Sequence, residues 1–184
     1  MADSSSFPYR RINVVGTSAS GKTTFARSLA ARLRLPHIEL DALHWEPGWK
    51  EAPDRVMRAR VQRAVAADAW VVDGNYAAVR DLVWERADAV VWLDFRLHSI
   101  LWRYARRTGR RIRTREELWP GTGNRETLSM HLFRRDGLLW WILGTYRRRR
   151  RDYPPLLARN PRIVAVRLRS PRDADHWLAQ LTPQ

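Results

Sequence analysis

The chain has 184 residues, 45% hydrophobic and 29% charged, which suits one folded domain with a sizeable core and argues against disorder. It has no cysteine, excluding disulfides and thiolate zinc sites; its longest apolar run, "LLWWIL", is far short of the ~20 residues that span a bilayer. The net charge of +15 comes from 32 arginines against two lysines; it reflects either a bias toward Arg or a phosphate-rich partner.

In chain order, "MADSSSFPYRR" has no apolar stretch of signal-peptide length, so a cytoplasmic protein without membrane association is expected. "RINVVG" reads as a buried strand ending in a glycine turn. Phe25, Leu29 and Leu33, with Ala26 and Ala30, form the stripe of a helix that Pro36 ends. "HIEL" is a short strand closing on Asp41. "APDRVMRARVQRAVAAD" is a helix with Pro53 near its first turn, "WVVDG" a third strand, and "AAVRDLVWERA" a short helix. "ADAVVWLDF" is a fourth strand, and "LHSILWRYARR" a helix running into an Arg-rich stretch. Residues 112–126 read as irregular; a helical region then reaches about Arg151, broken near Asp136-Gly137. "RIVAVRL" is a fifth strand, and Ser170-Pro171 opens a last helix through Leu181.

Alternating strands and helices predict an α/β fold, a five-stranded parallel sheet with helices on both faces. Such sheets bind ligands at the carboxyl ends of their strands. Asp41, Asp73 and Asp94 all fall at predicted strand ends.

Gly16 to Thr23, "GTSASGKT", fits the phosphate-binding pattern G-x-x-x-x-G-K-[ST], and lies between a predicted strand and helix as that motif requires. The loop predicted to hold ATP is Gly16, Ser18, Ala19, Ser20, Gly21, Lys22, Thr23 and Thr24. Its backbone N–H groups and the helix N-terminus point at phosphate oxygens. Lys22 reaches the β- and γ-phosphates, and the Thr23 hydroxyl ligates Mg²⁺. A GTPase would carry Asn-Lys-x-Asp, but the other lysine, Lys50, follows Trp49. A motor or transporter ATPase would carry a strand ending in Asp-Glu, and neither "VVWLDF" nor "WVVDGNY" does. A compact kinase remains.

"WVVDGNY" resembles the "LLDGFPR" strand end of adenylate kinase-like nucleoside monophosphate kinases. With "ELDALHWEPGW", "ADAVVWLDF" and "WWILGTYRRRRRDYP" it is similar to small bacterial P-loop kinases, described as adenylate kinase-like or as topology modulation (FlaR-type) proteins. The resemblance implies one P-loop kinase-like domain over 1–184, with an acceptor-binding segment near 41–68 and an Arg-bearing lid near 106–126. It implies that Asp73 holds Mg²⁺ through a water, and that Arg106 and Arg110 in "RRTGRR" lie on the "RxxGR" lid pattern. The AMP-gripping "GDMLR" is missing and the Arg of "DGFPR" falls on Ala77; Arg55, Arg58 or Arg80 are the available substitutes.

Asp41 reads either as a carboxylate beside the γ-phosphate that binds or deprotonates an acceptor hydroxyl, or as a helix cap. His44 could share that site, and Trp45 and Trp49 either stack on a ring or pack the segment down. From Arg103 to Arg115, seven of thirteen residues are Arg, with Arg103, Arg106, Arg107 and Arg110 at helical spacing. A cationic lid over the triphosphate would use one or two of them, and Arg125 and Glu126 would lie on its returning side. Arg147–Arg151 reads mainly as a helix end that complements the dipole. The expected function is Mg²⁺- and ATP-dependent phosphoryl transfer to a small-molecule acceptor, the catalytic set being Lys22, Asp41, Asp73, Arg106 and Arg110. The alternative is a nucleic-acid-binding P-loop regulator acting on DNA topology, though no reading head such as a helix-turn-helix is visible. Oligomeric state is left open.

Overall fold

The computed structural model describes residues 7–127 and 138–181. Five parallel strands form the sheet: β1 (Arg11–Gly16), β2 (His37–Glu39), β5 (Trp70–Asp73), β6 (Ala89–Leu93) and β7 (Val164–Leu168). Their order across the sheet is β2-β5-β1-β6-β7. The central strands are buried on both faces and alternate with period two. Ile12, Val14, Val71 and Val91 enter one core, while Val15, Trp70, Val72, Val90 and Trp92 enter the other.

Helix α1 (Lys22–Leu33) turns Phe25, Ala26 and Leu29 into the first core, joined by Ala174 of the last helix, α7 (Pro171–Gln180). The Ser170 hydroxyl accepts from Asp173 N at 3.1 Å, the cap expected from Ser170-Pro171. The second core is covered by α3 (Asp54–Ala64), through Met57 and Val61, and α4 (Arg80–Arg86), through Val83 and Trp84. Helix α5 (Leu97–Thr114) follows β6. Helix α6 (Leu138–Ala158) reaches the first core with Ile142 and the second with Tyr153.

Several boundaries differ from the sequence reading. Strand β2 stops at Glu39, level with its partner Asp73, and the chain turns into a five-residue helix, α2 (Leu40–His44). Asp41 therefore stands on that helix, two residues beyond the strand. Leu40 makes the turn by burying itself against Gly74, whose φ is 143° and where an added Cβ would stand 2.7 Å from Leu40 Cβ. A small hairpin not expected from the sequence, β3 (Trp45–Glu46) with β4 (Lys50–Glu51), closes around Pro47-Gly48. Helix α1 ends at Leu33 with Arg34 left-handed, before Pro36 is reached. Helix α5 runs on to Thr114, past the expected start of irregular chain. Helix α6 continues through Pro154 and Pro155, because Tyr153, Leu156 and Leu157 on either side pack into the second core. Arg147–Arg151 is thus mid-helix and caps nothing. The expected break near Asp136-Gly137 lies outside the described residues. Among those, no helix is long and apolar enough to cross a membrane.

Candidate active site

At the carboxyl end of β1 the chain enters the Gly16–Thr23 loop. An added Cβ at Gly16 would stand 2.8 Å from Ser20 Oγ and 2.9 Å from Leu93 O, so only glycine allows the loop to fold back this tightly. Ala19 and Gly21 take positive φ, and Ser20 N donates to Thr17 O at 3.0 Å. The loop is braced from β5. Asn75 accepts from Gly16 N at 3.1 Å through Oδ1, donates to Gly16 O through Nδ2, and accepts from the Tyr153 hydroxyl at 3.2 Å. Asn75 was not singled out from the sequence, where it shows only as the residue after "DG".

Helix α1 begins at Lys22 and carries Thr23 beside the end of β5. The Thr23 hydroxyl donates to Asp73 Oδ2 at 2.6 Å, and His37 Nε2 lies 2.9 Å from Asp73 Oδ1. Asp73 is buried at 2% exposure, and its two oxygens are held by side chains brought from two other elements, α1 and β2. His37 had no sequence signal beyond its place at the start of β2. No group of three metal-binding side chains occurs among the described residues. A hydroxyl and one carboxylate, with substrate phosphates and waters completing the shell, fit Mg²⁺, which rarely uses an all-protein cage.

Lys22 sits within the electrostatic reach of Asp41 and Asp73. Burial pushes its ammonium below the ordinary lysine range, and those two carboxylates oppose the shift. Asp41 Oδ1 accepts from the Tyr76 hydroxyl at 2.7 Å. Burial first, and the Asp41 charge second, push the Tyr76 phenol well above its usual value, so it stays a donor. The His44 ring lies 4.6 Å from the Tyr76 ring; its Nδ1 is buried without a hydrogen-bond partner among the described residues. Glu39, at the end of β2, adds a third carboxylate beside Asp73 and Asp41. Burial and then Asp73 raise its pKa, while Trp119 Nε1 donates to its Oε1 at 3.2 Å.

The hairpin and the segment after α5 meet above this group. Trp45, Trp49 and Trp119 form an edge-to-face chain with ring centroids 5.5 and 5.8 Å apart. Asn124 accepts from Trp49 N at 2.9 Å and donates to Glu46 O at 3.0 Å. The two tryptophans first noted in the sequence thus pack the hairpin against the expected lid. An isolated bridge, Glu117 to Arg125, closes that segment.

The seven arginines of 103–115 divide by face. Ile100, Tyr104 and Thr108 are buried, and Arg103, Arg107 and Arg111 flank that stripe on the side of the phosphate loop. An added Cβ at Gly21 would stand 2.9 Å from Arg103 Nη1. Glu126, buried on the returning strand of the segment, pairs with Arg111 at 2.7 Å and Arg107 at 3.7 Å. Arg106 and Arg110 are placed elsewhere. Arg106 is exposed over the Trp102 ring at 5.4 Å, and Arg110 is exposed 3.6 Å from Glu116. The "RxxGR" spacing names these two; the helix turns their neighbours toward the loop. Asp94 also leaves the expected group. It pairs with Arg150 and with Arg167, each at 2.6 Å, as a buried anchor between β6, α6 and β7.

No protein-family model matches this chain, and neither does any curated protein. Solved structures do match over nearly its whole length. A gluconokinase from Sinorhizobium meliloti 1021 is 25% identical, with a TM-score of 0.52, covering 93% of this chain and 92% of its own. A sugar kinase from Janibacter sp. HTCC2649 is 19% identical, with a TM-score of 0.50 over 94% and 92%. A shikimate kinase from Aquifex aeolicus vf5 is 12% identical, with a TM-score of 0.54 over 92% of each chain. The neighbours are all P-loop kinases, and they support a phosphotransferase with the fold predicted from the sequence.

Proposed function

We propose that this P-loop kinase transfers the γ-phosphoryl group of ATP to a hydroxyl of a small molecule seated between Asp41, Tyr76 and the Trp45–Trp49 hairpin. The observation that carries the reading is the convergence of Lys22, Thr23, Asp73 and Asp41, from three elements, at one end of the sheet. The triphosphate lies in the Gly16–Thr24 loop, its oxygens on backbone N–H groups and Lys22. Thr23, and Asp73 through a water, would hold Mg²⁺, which would supply neutralising charge to the phosphates. Tyr76 holds Asp41 in place, and Asp41 accepts the proton of the attacking hydroxyl. The acceptor oxygen bonds to the γ-phosphorus as the bond to the bridging oxygen breaks, and ADP leaves with that electron pair. The likeness to a gluconokinase favours a small-molecule acceptor over a nucleic acid.

The test is ATP consumption with Mg²⁺ against a panel of sugars, sugar acids, nucleosides and nucleoside monophosphates. One acceptor should raise turnover well above background hydrolysis. Lys22→Ala should then lower kcat by about 10²–10³-fold, and Asp41→Asn by about 10²–10⁴-fold. Undiminished turnover in Asp41→Asn would return Asp41 to a purely structural partner of Tyr76.

A further inference from the structure

The amino ends of the strands, opposite the phosphate loop, carry a second cleft. It measures about 520 Å³, within the range of about 300–1,000 Å³ usual for small-molecule sites. Its walls are Tyr9 and Arg10 just before β1, Glu85 and Arg86 at the end of α4, and Arg162 ahead of β7. The phosphoryl-transfer chemistry uses none of these residues. Arg11 and Gly16 stand at the two ends of β1, about 17 Å apart at the rise of a parallel strand.

The charges around this cleft are not equally engaged. Asp88 is fully taken: it accepts from Arg11 Nη2 at 2.6 Å and from the backbone N–H groups of Arg10 and Arg11 at 3.3 and 3.0 Å. Arg86 and Arg162 are fixed by carbonyls instead. Arg86 Nη2 donates to Ala66 O at 2.9 Å, just past α3, and Arg162 Nη2 donates to Trp84 O at 3.1 Å. Held this way, each guanidinium is placed in advance and keeps donors to spare. Arg86 Nε is shielded from solvent and has no hydrogen-bond partner among the described residues. The acid that Arg86 meets, Asp68, is 3.9 Å away and fully exposed, too distant and too solvated to neutralise it. Among the described residues Arg10 and Arg162 form no ion pair, and neither does the exposed Glu85.

Three guanidiniums without a close carboxylate suit the near-double charge and three oxygens of a phosphate group, which guanidinium forks grip in pairs. The cleft is much larger than an inorganic ion needs, so the phosphate has a body attached. Tyr9, half-buried, offers that body a ring face, while Glu85 and Asp68 offer acceptors for hydroxyl groups.

We propose that this cleft is a second ligand site, for the phosphomonoester of a small polyhydroxy compound. Arg10, Arg86 and Arg162 take the phosphate, the body lies along Tyr9, and Glu85 and Asp68 accept from its hydroxyls. The ligand is an effector and not a substrate, because the γ-phosphoryl group is delivered at the other end of β1. Binding here does not depend on which acceptor the kinase uses.

The test is calorimetric titration of D-glucose 6-phosphate into the full chain, its phosphate loop saturated with AMP-PNP and Mg²⁺. Binding is expected, weakened about 10-fold or more by Arg10→Gln and by Arg162→Gln. It should hold in Asp41→Asn, which alters the acceptor seat, and D-glucose should bind far more weakly. Arg10 is exposed and its side chain makes no hydrogen bond or ion pair among the described residues, so Arg10→Gln tests the site without burdening the fold. AMP-PNP affinity equal to the wild type in both arginine variants reports an intact protein. No binding, binding indifferent to both substitutions, or equal binding of D-glucose would overturn the site. So would binding lost in Asp41→Asn, which would put the sugar phosphate in the acceptor seat, or a parallel loss of AMP-PNP affinity in Arg10→Gln. The kinase reading fails separately, if AMP-PNP binding survives Lys22→Ala undiminished.

Discussion

Asp73 shows how much a single side chain is asked to hold. Its two oxygens are taken by Thr23 and His37, and its charge reaches Lys22, so the strand end, the phosphate loop and the edge strand are bound to one carboxylate. Asn75, two residues on, does for the loop backbone what Asp73 does for its side chains. Because Asn75 meets both the N–H and the C=O of Gly16, truncating it strands two backbone groups in a partly buried site. Asn75→Ala is expected to cost about 1–3 kcal/mol in urea denaturation and to weaken Mg·ATP binding. An unchanged denaturation midpoint and nucleotide affinity would mean that the loop is held by its own turn geometry. The "WVVDGNY" stretch announced Asp73 as a strand end; nothing local announced what Asn75 or His37 would touch.

At the scale of elements, the meeting of α5 with the 115–127 segment matters most. Glu126 draws Arg107 and Arg111 to itself beside the loop, occupying the cations that a triphosphate would attract. Burial also pushes Arg107 below the ordinary arginine range, with Glu126 opposing the shift. Glu126→Gln keeps the shape and removes the competing charge. It is expected to tighten Mg·AMP-PNP binding severalfold at low salt and to steepen its salt dependence. Affinity and salt slope equal to the wild type would mean that the α5 arginines do not reach the nucleotide. Helical spacing put Arg103, Arg106, Arg107 and Arg110 together at i, i+3, i+4, i+7, yet only Arg103 and Arg107 turn toward the loop. It could not say which edge of that face would turn inward, since Ile100, Tyr104 and Thr108 set the rotation only once the sheet is there to bury them.

Across the whole molecule, a net charge of +15 has to be accommodated, and Asp94 is where the fold does so most tightly. It is 4% exposed and takes guanidiniums from α6 and β7 at once, joining the helix that carries Arg149 and Tyr153 to the sheet. Asp94→Ala leaves both arginines facing each other without a counter-charge. The expected loss is about 3 kcal/mol, near the low end for a broken buried pair because both guanidiniums are partly solvated. This corresponds to a fall of about 6–12 °C in Tm by calorimetry. A shift under one or two degrees would show that α6 is held by the burial of Ile142 and Tyr153 alone.

The sequence by itself determined the phosphate loop, the alternation of strands and helices, and Asp73 at a strand end. Each is written in contiguous residues or in a period of two or 3.6, and such patterns need no distant partner to be legible. The tertiary structure alone decided that Asp94 anchors while Asp41 lies within reach of Lys22, that Asn75 and His37 brace the site, and that Arg103 and Arg107 rather than Arg106 and Arg110 turn toward the phosphate loop. Those outcomes depend on which elements become neighbours across the sheet. A charged side chain is set by the partner it meets there, and that partner stands 15 to 73 residues away in the chain.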